Sequence, residues 1–237
     1  MNSSNEKLLQ RTNLSMPQSD KAAWSQFNVG RSLLTTPALV DYDNFIARLL
    51  SGLIRKSDVV AEYGCGDGIW LQYLAKMFPK KQFIGVEWNR RLVRYARQQR
   101  LKKRSNVTVF QKDATKFSVE CDFFFAFGVI EHFRDSTVVL KSWVEALKPN
   151  GFVVITVPNL LNWGRVVARH GLKLEDIKDK DLVATKAYGF EWLMSPNTFL
   201  KVLMDAGLEV VLFRWLEELP SERSLLGIAR KRARECA

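Results

Sequence analysis

The chain has 237 residues, a formal net charge of +11 and 47% hydrophobic residues, which is enough for one α/β domain with a substantial core and room for a small cap. Its apolar runs are far shorter than the ~20 residues that a membrane span needs, and its N-terminus lacks the basic and apolar regions of a signal peptide. Its three cysteines have no metal-binding spacing, so free thiols, no metal site and a cytoplasmic location are expected.

The first 55 residues are expected to form an N-terminal helical lid, followed by the main domain at residues 56–237. Residues 1–20 are polar, whereas residues 21–55 contain Trp24, Phe27 and an apolar pattern at helical spacing. The members of that pattern are Phe45, Ile46, Leu49, Leu50 and Leu53. One or two helices are therefore predicted between residues 21 and 55.

A glycine-rich turn follows the first predicted strand, which covers the apolar run 58–61. Glycine has no Cβ, so the backbone of such a turn can approach a ligand closely, and the N–H groups of the helix that follows face the same ligand. The two carboxylates of the turn suit a cationic ligand better than a pyrophosphate. The residues predicted to contact this ligand are Glu62, Gly64, Cys65, Gly66, Asp67 and Gly68.

The second predicted strand, residues 82–86, ends in Glu87 and Trp88. An acidic side chain at the tip of the second strand can accept hydrogen bonds from both hydroxyl groups of a ribose. The spacing of the preceding turn is G-x-G-x-G, whereas a dinucleotide-binding turn has G-x-G-x-x-G, and Ile69 stands where that third glycine would be. A nucleoside-containing cofactor other than a dinucleotide is therefore predicted.

A strongly basic segment follows, with eight basic and no acidic residues between positions 89 and 104. It could form a surface that binds nucleic acid. Leu92, Val93 and Ala96 lie at helical spacing within it, which favours an amphipathic helix with a solvated basic face. A nucleic-acid partner is accordingly not expected, although the alternative stays open.

Further strands are predicted at residues 106–110, 121–127, 152–157, 208–213 and 225–229. Candidate site residues lie at the carboxyl ends of the first two of these strands, where sites form in α/β sheets. The residues in question are Asp113, Ala114, Phe127, Gly128, Glu131 and His132.

Between Pro158 and Pro196 the chain is too long for an ordinary connection, which runs ~2–6 residues in α/β units. Residues 158–195 are therefore predicted to form a cap over the substrate, and Ser195-Pro196 to start the next helix. Five aromatic residues are the predicted substrate contacts, namely Trp24, Phe27, Trp163, Tyr188 and Trp192.

These features, in this order, resemble the class I S-adenosylmethionine (SAM)-dependent methyltransferases, and the segment after the fourth strand is similar to their ubiquinone-biosynthesis-like (methyltransferase type 11) branch. The resemblance implies a Rossmann-like α/β fold with a seven-stranded, mostly parallel sheet, an antiparallel last strand and helices on both faces. It also implies N-terminal lid helices and a cap insertion between strand 5 and the following helix. The implied cofactor is SAM, with S-adenosylhomocysteine (SAH) as its product.

In that family the glycine-rich turn contacts the amino-acid part of SAM, and the acid after the second strand, here Glu87, holds the ribose. Asp113, with Ala114 beside it, fits the position near the adenine amino group. Trp88, Phe127 and Gly128 complete the predicted cofactor contacts. Some relatives bind a divalent metal through a glutamate at the position of Gly128, so a metal site is not expected here.

His132 is predicted to act as a general base, with Glu131 orienting it or binding substrate. The function hypothesis is transfer of a methyl group from SAM to a hydroxyl or amine of a small-molecule acceptor. Two alternatives stay open, an RNA-directed methyltransferase that uses the basic surface at residues 89–104 and a non-catalytic SAM-binding protein. The sequence predicts neither the acceptor nor the oligomeric state.

Overall fold

The computed structural model of the protein describes residues 37–159, 182–185, 189–216 and 224–232. In chain order the helices and strands are α1 (Pro37–Ile54), β1 (Val59–Tyr63), α2 (Ile69–Met77), β2 (Gln82–Glu87), α3 (Arg90–Tyr95), β3 (Val107–Gln111), β4 (Cys121–Phe127), α4 (Ser136–Ala146), β5 (Leu147–Pro158), β6 (Leu182–Thr185), β7 (Gly189–Trp192), α5 (Pro196–Asp205), β8 (Leu208–Leu216) and β9 (Ser224–Lys231). A π-helical segment, Ala96–Arg100, continues α3, and a 3₁₀ turn, Ile130–His132, follows β4.

Seven strands form one sheet in the order β3-β2-β1-β4-β5-β9-β8. The pairs among β1 to β5 are parallel, and β9 runs antiparallel to both of its neighbours. This confirms the predicted sheet with its antiparallel last strand. The strand order reverses between β1 and β4, so the crevice beyond the carboxyl ends of these two strands is the expected place for a ligand.

The core lies on both faces of the sheet, because the central parallel strands are covered on each side. Phe123, Phe124 and Phe125 of β4 are all fully buried although their side chains alternate between the faces. On one face the ring of Trp143 in α4 stacks on Tyr63 with 4.1 Å between centroids. The central strands are continuously apolar in sequence because both of their faces are buried.

Helix α1 packs into the same core. Its residues Ile46, Leu50 and Ile54 are fully buried in the apolar layer that also contains Phe83 of β2. The predicted helix in residues 21–55 is thus found over Pro37–Ile54, and Trp24 and Phe27 lie outside the described residues. The lid role of this segment and the domain boundary at residue 55 stay predictions.

Two strands contain irregular positions. In β5 the register with β4 shifts after Leu147 pairs with Cys121, and regular pairing resumes at Phe152, where the sequence predicts the strand to begin. In β8 the register with β9 shifts between Val210 and Leu212. Since β8 is an outer strand of the sheet, this bulge lies at the sheet edge.

The described part of the cap contains an antiparallel pair, β6 with β7, which the sequence did not predict. Helix α5 begins as predicted, with the Ser195 hydroxyl accepting a hydrogen bond from Thr198 N at 3.2 Å. Trp163 and Tyr188 of the cap lie outside the described residues. None of the described helices is both long and apolar enough to cross a membrane.

Candidate cofactor and active site

The glycine turn follows β1 directly, and its three glycines have left-handed backbone angles, with φ of 70°, 54° and 79° at Gly64, Gly66 and Gly68. A Cβ on Gly64 would lie 2.5 Å from Val129 Cγ2, and one on Gly68 would lie 2.9 Å from Leu101 Cδ1. A Cβ on Gly66 would meet no atom within 4 Å. Two of the glycines thus permit close packing, and Gly66 leaves open space for a ligand.

Cys65 has a packing role in this turn. The thiol is buried, and a Cβ on Gly85 of β2 would lie 2.6 Å from Cys65 Sγ. Burial, followed by the nearby carboxylates of Glu62, Glu87 and Asp67, raises the pKa of the Cys65 thiol well above its usual value. A thiol held in its neutral form is a poor nucleophile, so packing is the role that the site supports.

The side chain of Glu87, at the end of β2, is hydrogen-bonded to the glycine turn. Its Oε2 accepts a hydrogen bond from Gly66 N at 3.0 Å, and its Oε1 accepts one from Asn89 N at 2.7 Å. Burial raises the pKa of the carboxyl group, whereas hydrogen bonds from the amides of Asn89, Gly66 and Trp88 lower it. The two carboxylate oxygens have about four acceptor sites between them, and the three amides leave one of these open. Glu87 can therefore hold a ribose while it holds the turn.

Glu62 is a buried carboxyl group beside the turn, with an exposed fraction of 5%. Its Oε2 has no hydrogen-bond partner among the residues that the structure describes. Burial, then the negative charges of Asp67 and Glu87, raises its pKa well above the usual value. An unsatisfied buried carboxyl group is costly, and a bound cation satisfies it. Glu62 thus fits the ammonium or sulfonium of the cofactor that the sequence implies.

Asp67 is in the turn as predicted, but its side chain is engaged by the protein. Its Oδ2 lies 2.6 Å from Arg100 Nη2, and the side chains are only 9% and 10% exposed. Sequence reasoning placed Arg100 in the basic segment and missed this partner. The turn therefore carries less net negative charge than its sequence indicates.

Asp113 and Ala114 lie just beyond β3, in a loop fixed by its own hydrogen bonds. Asp113 Oδ1 accepts from Thr115 N at 2.9 Å and from Thr115 Oγ1 at 2.7 Å. The Ala114 carbonyl accepts from Trp143 Nε1 at 2.7 Å. Lys112 N, one residue earlier, donates to the Glu87 carbonyl at 3.0 Å, so this loop and the end of β2 lie together. Contact between Asp113 and adenine stays a prediction.

The segment after β4 lies on the other side of the turn. The rings of Phe127 and Trp70 are in contact, with 5.8 Å between centroids, and Trp88 is half-buried at the end of β2. Gly128 N donates to the Thr156 carbonyl at 3.0 Å, and a Cβ on Gly128 would lie 3.4 Å from Glu131 Oε1. Gly128, a predicted cofactor contact, and Glu131, a predicted catalytic residue, are therefore neighbours.

Glu131 and His132 belong to the 3₁₀ turn Ile130–His132. Glu131 is buried, and its Oε2 has no hydrogen-bond partner within the described part of the chain. Burial, followed by the charge of Glu191, raises the pKa of Glu131 well above the usual value. His132 is half-buried, and its backbone N–H donates to the Val129 carbonyl at 3.1 Å.

Glu191, which the sequence did not single out, lies on β7 of the cap and is buried. Its neighbour Trp192, a predicted substrate contact, is half-buried, and its Nε1 has no partner among the residues with described positions. Strand β7 of the cap packs against the 3₁₀ turn Ile130–His132, and the charge of Glu191 helps to raise the pKa of Glu131. In the described ranges no group of three His, Cys, Asp or Glu side chains could hold a metal ion.

A protein-family profile described as a methyltransferase domain matches residues 39–212. No curated protein matches the sequence. Among solved structures, a SAM-dependent methyltransferase from Methanosarcina mazei has a TM-score of 0.62 at 16% identity, over 78% of this chain and 97% of that one. The N-methyltransferase NodS from Bradyrhizobium japonicum, solved with SAH, has a TM-score of 0.61 at 17% identity, over 96% of this chain and 98% of that one.

Magnesium protoporphyrin IX methyltransferase from Synechocystis, solved with SAH, has a TM-score of 0.63 at 12% identity, over 96% of this chain and 99% of that one. These similarities show a shared fold, and the family match covers most of the chain. The glycine turn, the unsatisfied Glu62 and the placement of Glu87 fit the same cofactor. The chain belongs to the methyltransferase-domain family and is a class I methyltransferase that uses SAM.

Proposed function

We propose that this protein transfers the methyl group of SAM to a hydroxyl or amine of a small-molecule acceptor. The observation that carries this proposal is the position of the cap strand β7. Its buried Glu191 acts on Glu131 beyond the carboxyl end of β4, where the acceptor is expected. A covered acceptor side favours a small molecule over the flank of a large polymer.

One of the structures with the same fold supports a small acceptor by its described activity. NodS is described as an N-methyltransferase, and the Synechocystis protein acts on magnesium protoporphyrin IX. Both resemble this chain over nearly its whole length. The same fold therefore serves a small-molecule acceptor in at least one protein.

In the proposed reaction SAM supplies an electrophilic methyl group on a positively charged sulfur. Glu62 binds the cationic end of the cofactor, Glu87 binds its ribose, and the open space at Gly66 lets the backbone approach it. These contacts hold the donor while the cap holds the acceptor in line with the methyl group. Alignment of this kind supplies much of the rate of a direct displacement.

His132 is proposed to take the proton that a hydroxyl or ammonium acceptor loses. The neutral imidazole of a histidine can act as a general base near neutral pH. Glu131 precedes it on the same 3₁₀ turn and is proposed to orient the acceptor or the imidazole. We expect His132→Gln to lower turnover by roughly 10²–10⁴-fold, the usual contribution of a general base, with SAH affinity unchanged.

The test uses SAM labelled in its methyl group with the full-length protein and three separated pools, small metabolites, RNA and protein, from one cell extract. We expect label to appear in the metabolite pool, and to be lost with His132→Gln. Label in RNA would replace this proposal with the RNA-directed alternative. SAM binding without label transfer to any pool would favour a non-catalytic role.

Two observations bear on the other parts of the proposal. Within the basic segment, Arg97 donates to the Val109 carbonyl and Arg100 pairs with Asp67, so these two cations serve the fold. This weakens the case for an RNA surface there. The buried thiols Cys65 and Cys121 are not in a disulfide, which supports the proposed cytoplasmic location.

A further inference from the structure

The π-helical segment Ala96–Arg100 lies directly against the glycine turn. Leu101 N donates to the Ala96 carbonyl at 2.8 Å, the five-residue step of a π turn. The Leu101 side chain fills the space beside Gly68, where a Cβ would lie 2.9 Å from Leu101 Cδ1. The extra residue of the π turn therefore places positions 100 and 101 on the cofactor-binding turn.

Arg100 is fixed there by contacts on several sides. Its Nη2 lies 2.6 Å from Asp67 Oδ2, and its carbonyl accepts a hydrogen bond from Gln72 Nε2 at 3.0 Å. The guanidinium group also lies over the ring of Tyr95, 5.6 Å from its centroid. Gln72 in turn donates its backbone N–H to the Gly68 carbonyl at 2.9 Å. Arg100 thus connects the turn, the start of α2 and α3.

Charged groups of both signs surround the glycine turn. Three largely buried carboxyl groups, Glu62, Asp67 and Glu87, surround it, and burial together with mutual repulsion raises the pKa of Glu62. Arg100 is a buried cation in contact with one of the three. Removing one partner of a buried ion pair leaves the other charge uncompensated, which strongly destabilises the surrounding structure.

We propose that Arg100 is a positioning residue that holds the glycine turn through Asp67 and, by compensating its charge, sets the preference of the site between SAM and SAH. SAM carries a positive sulfur, and SAH does not. An uncompensated Asp67 favours the cation, and an uncompensated Arg100 disfavours it. The compensated pair keeps the two affinities closer. The inference concerns the cofactor alone and is independent of the acceptor.

The test is calorimetric titration of the full-length protein with SAM and with SAH. Arg100→Met removes the cation and keeps the length of the side chain, whereas Asp67→Asn removes the anion and keeps its shape. We expect the ratio of SAM to SAH affinity to rise roughly threefold or more in the first variant and to fall by a similar factor in the second, because opposite charges are left uncompensated. The double variant should return the ratio to within about twofold of wild type.

Two controls separate charge from structure. Arg94→Met removes an exposed arginine of α3 and should leave both affinities unchanged. Arg100→Lys keeps the charge and should keep the ratio. In the protein without ligand, amide hydrogen exchange at residues 64–68 should be faster in Arg100→Met than in Arg94→Met, because the turn has lost its support.

Outcomes that overturn the proposal are specific. If Arg100→Met and Asp67→Asn shift the ratio in the same direction, or leave it unchanged, charge compensation is not the role of the pair. If Arg100→Met does not fold, the double variant and Asp67→Asn still give the comparison, since the former buries neither charge. If wild-type protein binds neither ligand, the cofactor itself is in question and not Arg100.

Discussion

Glu62→Gln is the sharpest single test of the cofactor site, because two of its consequences have opposite signs. In the protein without ligand, Glu62 is a buried carboxyl group whose pKa is raised well above the usual value by burial, Asp67 and Glu87. Its Oε2 has no partner among the described residues. Gln has nearly the same shape and no charge. The variant should therefore be more stable than wild type and bind SAM more weakly.

The magnitudes follow from the type of contact. A hydrogen bond to a charged group contributes about 1.5–3 kcal/mol, so the loss of the contact with a cationic cofactor should weaken SAM binding by roughly 10- to 150-fold. Burial and the repulsion by Asp67 and Glu87 penalise the charged form of Glu62, and Gln avoids this cost. For a chain of this size each kcal/mol moves the melting temperature by roughly 2–4 °C. We expect the variant to melt a few degrees higher at pH 8.

The pH dependence of stability tests independently whether Glu62→Gln stabilises the fold. Because the pKa of Glu62 is higher in the folded than in the unfolded chain, the folded state binds more protons, and stability falls as pH rises from the unfolded value through the folded one. The advantage of Glu62→Gln should therefore be small near pH 5 and larger at pH 8. Glu145→Gln, on the exposed face of α4, makes the same charge change and should show neither effect.

The assays are calorimetric titration with SAM and thermal unfolding at pH 5 and pH 8. A variant that binds SAM as tightly as wild type would show that Glu62 does not contact the cation. A variant that is less stable than wild type at pH 8 would refute the argument from its raised pKa. Either result, with Glu145→Gln unchanged, would require another role for the carboxyl group.

Three further predictions concern the turn, the core and the thiols. Gly66→Ala should lower the free energy of unfolding by about 1–2 kcal/mol, because its backbone is left-handed, and should abolish SAM binding in a titration. Gly207→Ala, also at positive φ with open space around it, should leave SAM binding intact. Equal SAM binding by the two variants would show that Gly66 does not lie against the cofactor. Trp143→Phe loses the 2.7 Å hydrogen bond to the Ala114 carbonyl and should lower the free energy of unfolding by about 1–3 kcal/mol in a urea titration, and no change would show that this bond contributes nothing. Burial, with the charge of the adjacent Asp122, raises the pKa of the Cys121 thiol to about 12. This thiol should therefore react with a disulfide reagent at pH 8 only after denaturation. Fast reaction of Cys121 in the native protein would contradict its burial.

The strands were predictable from the sequence where burial alone determines them. The fourth strand is found over the predicted bounds, Cys121–Phe127, because a continuous apolar run between turn residues reports a strand covered on both faces. The fifth begins at Leu147, five residues before its predicted start. Leu147 pairs with Cys121 across a shift in register, and a pairing with a distant strand leaves no signal in the local pattern.

The candidate site likewise contains positions that the sequence predicts and contacts that it does not. The spacing of Gly64, Gly66 and Gly68 was readable because left-handed backbone angles restrict the residue type. The contact of Arg100 with Asp67 was not, since it depends on a π turn that changes which side of the helix faces the site. The approach of Glu191 to Glu131 depends on how the cap pairs and packs, and nothing in the residues around position 191 indicates it.

The bulge in β8 has a consequence for the behaviour of the protein in a crowded solution. An outer strand offers unpaired backbone groups that a strand from another molecule can join, and exposed apolar side chains strengthen such a contact. Val211 is 55% exposed at the bulge, where the ladder with β9 shifts. The local twist of a bulge makes the edge a poor template for an eighth strand. The bulge at Val211 thus opposes aggregation through edge-to-edge pairing of strands.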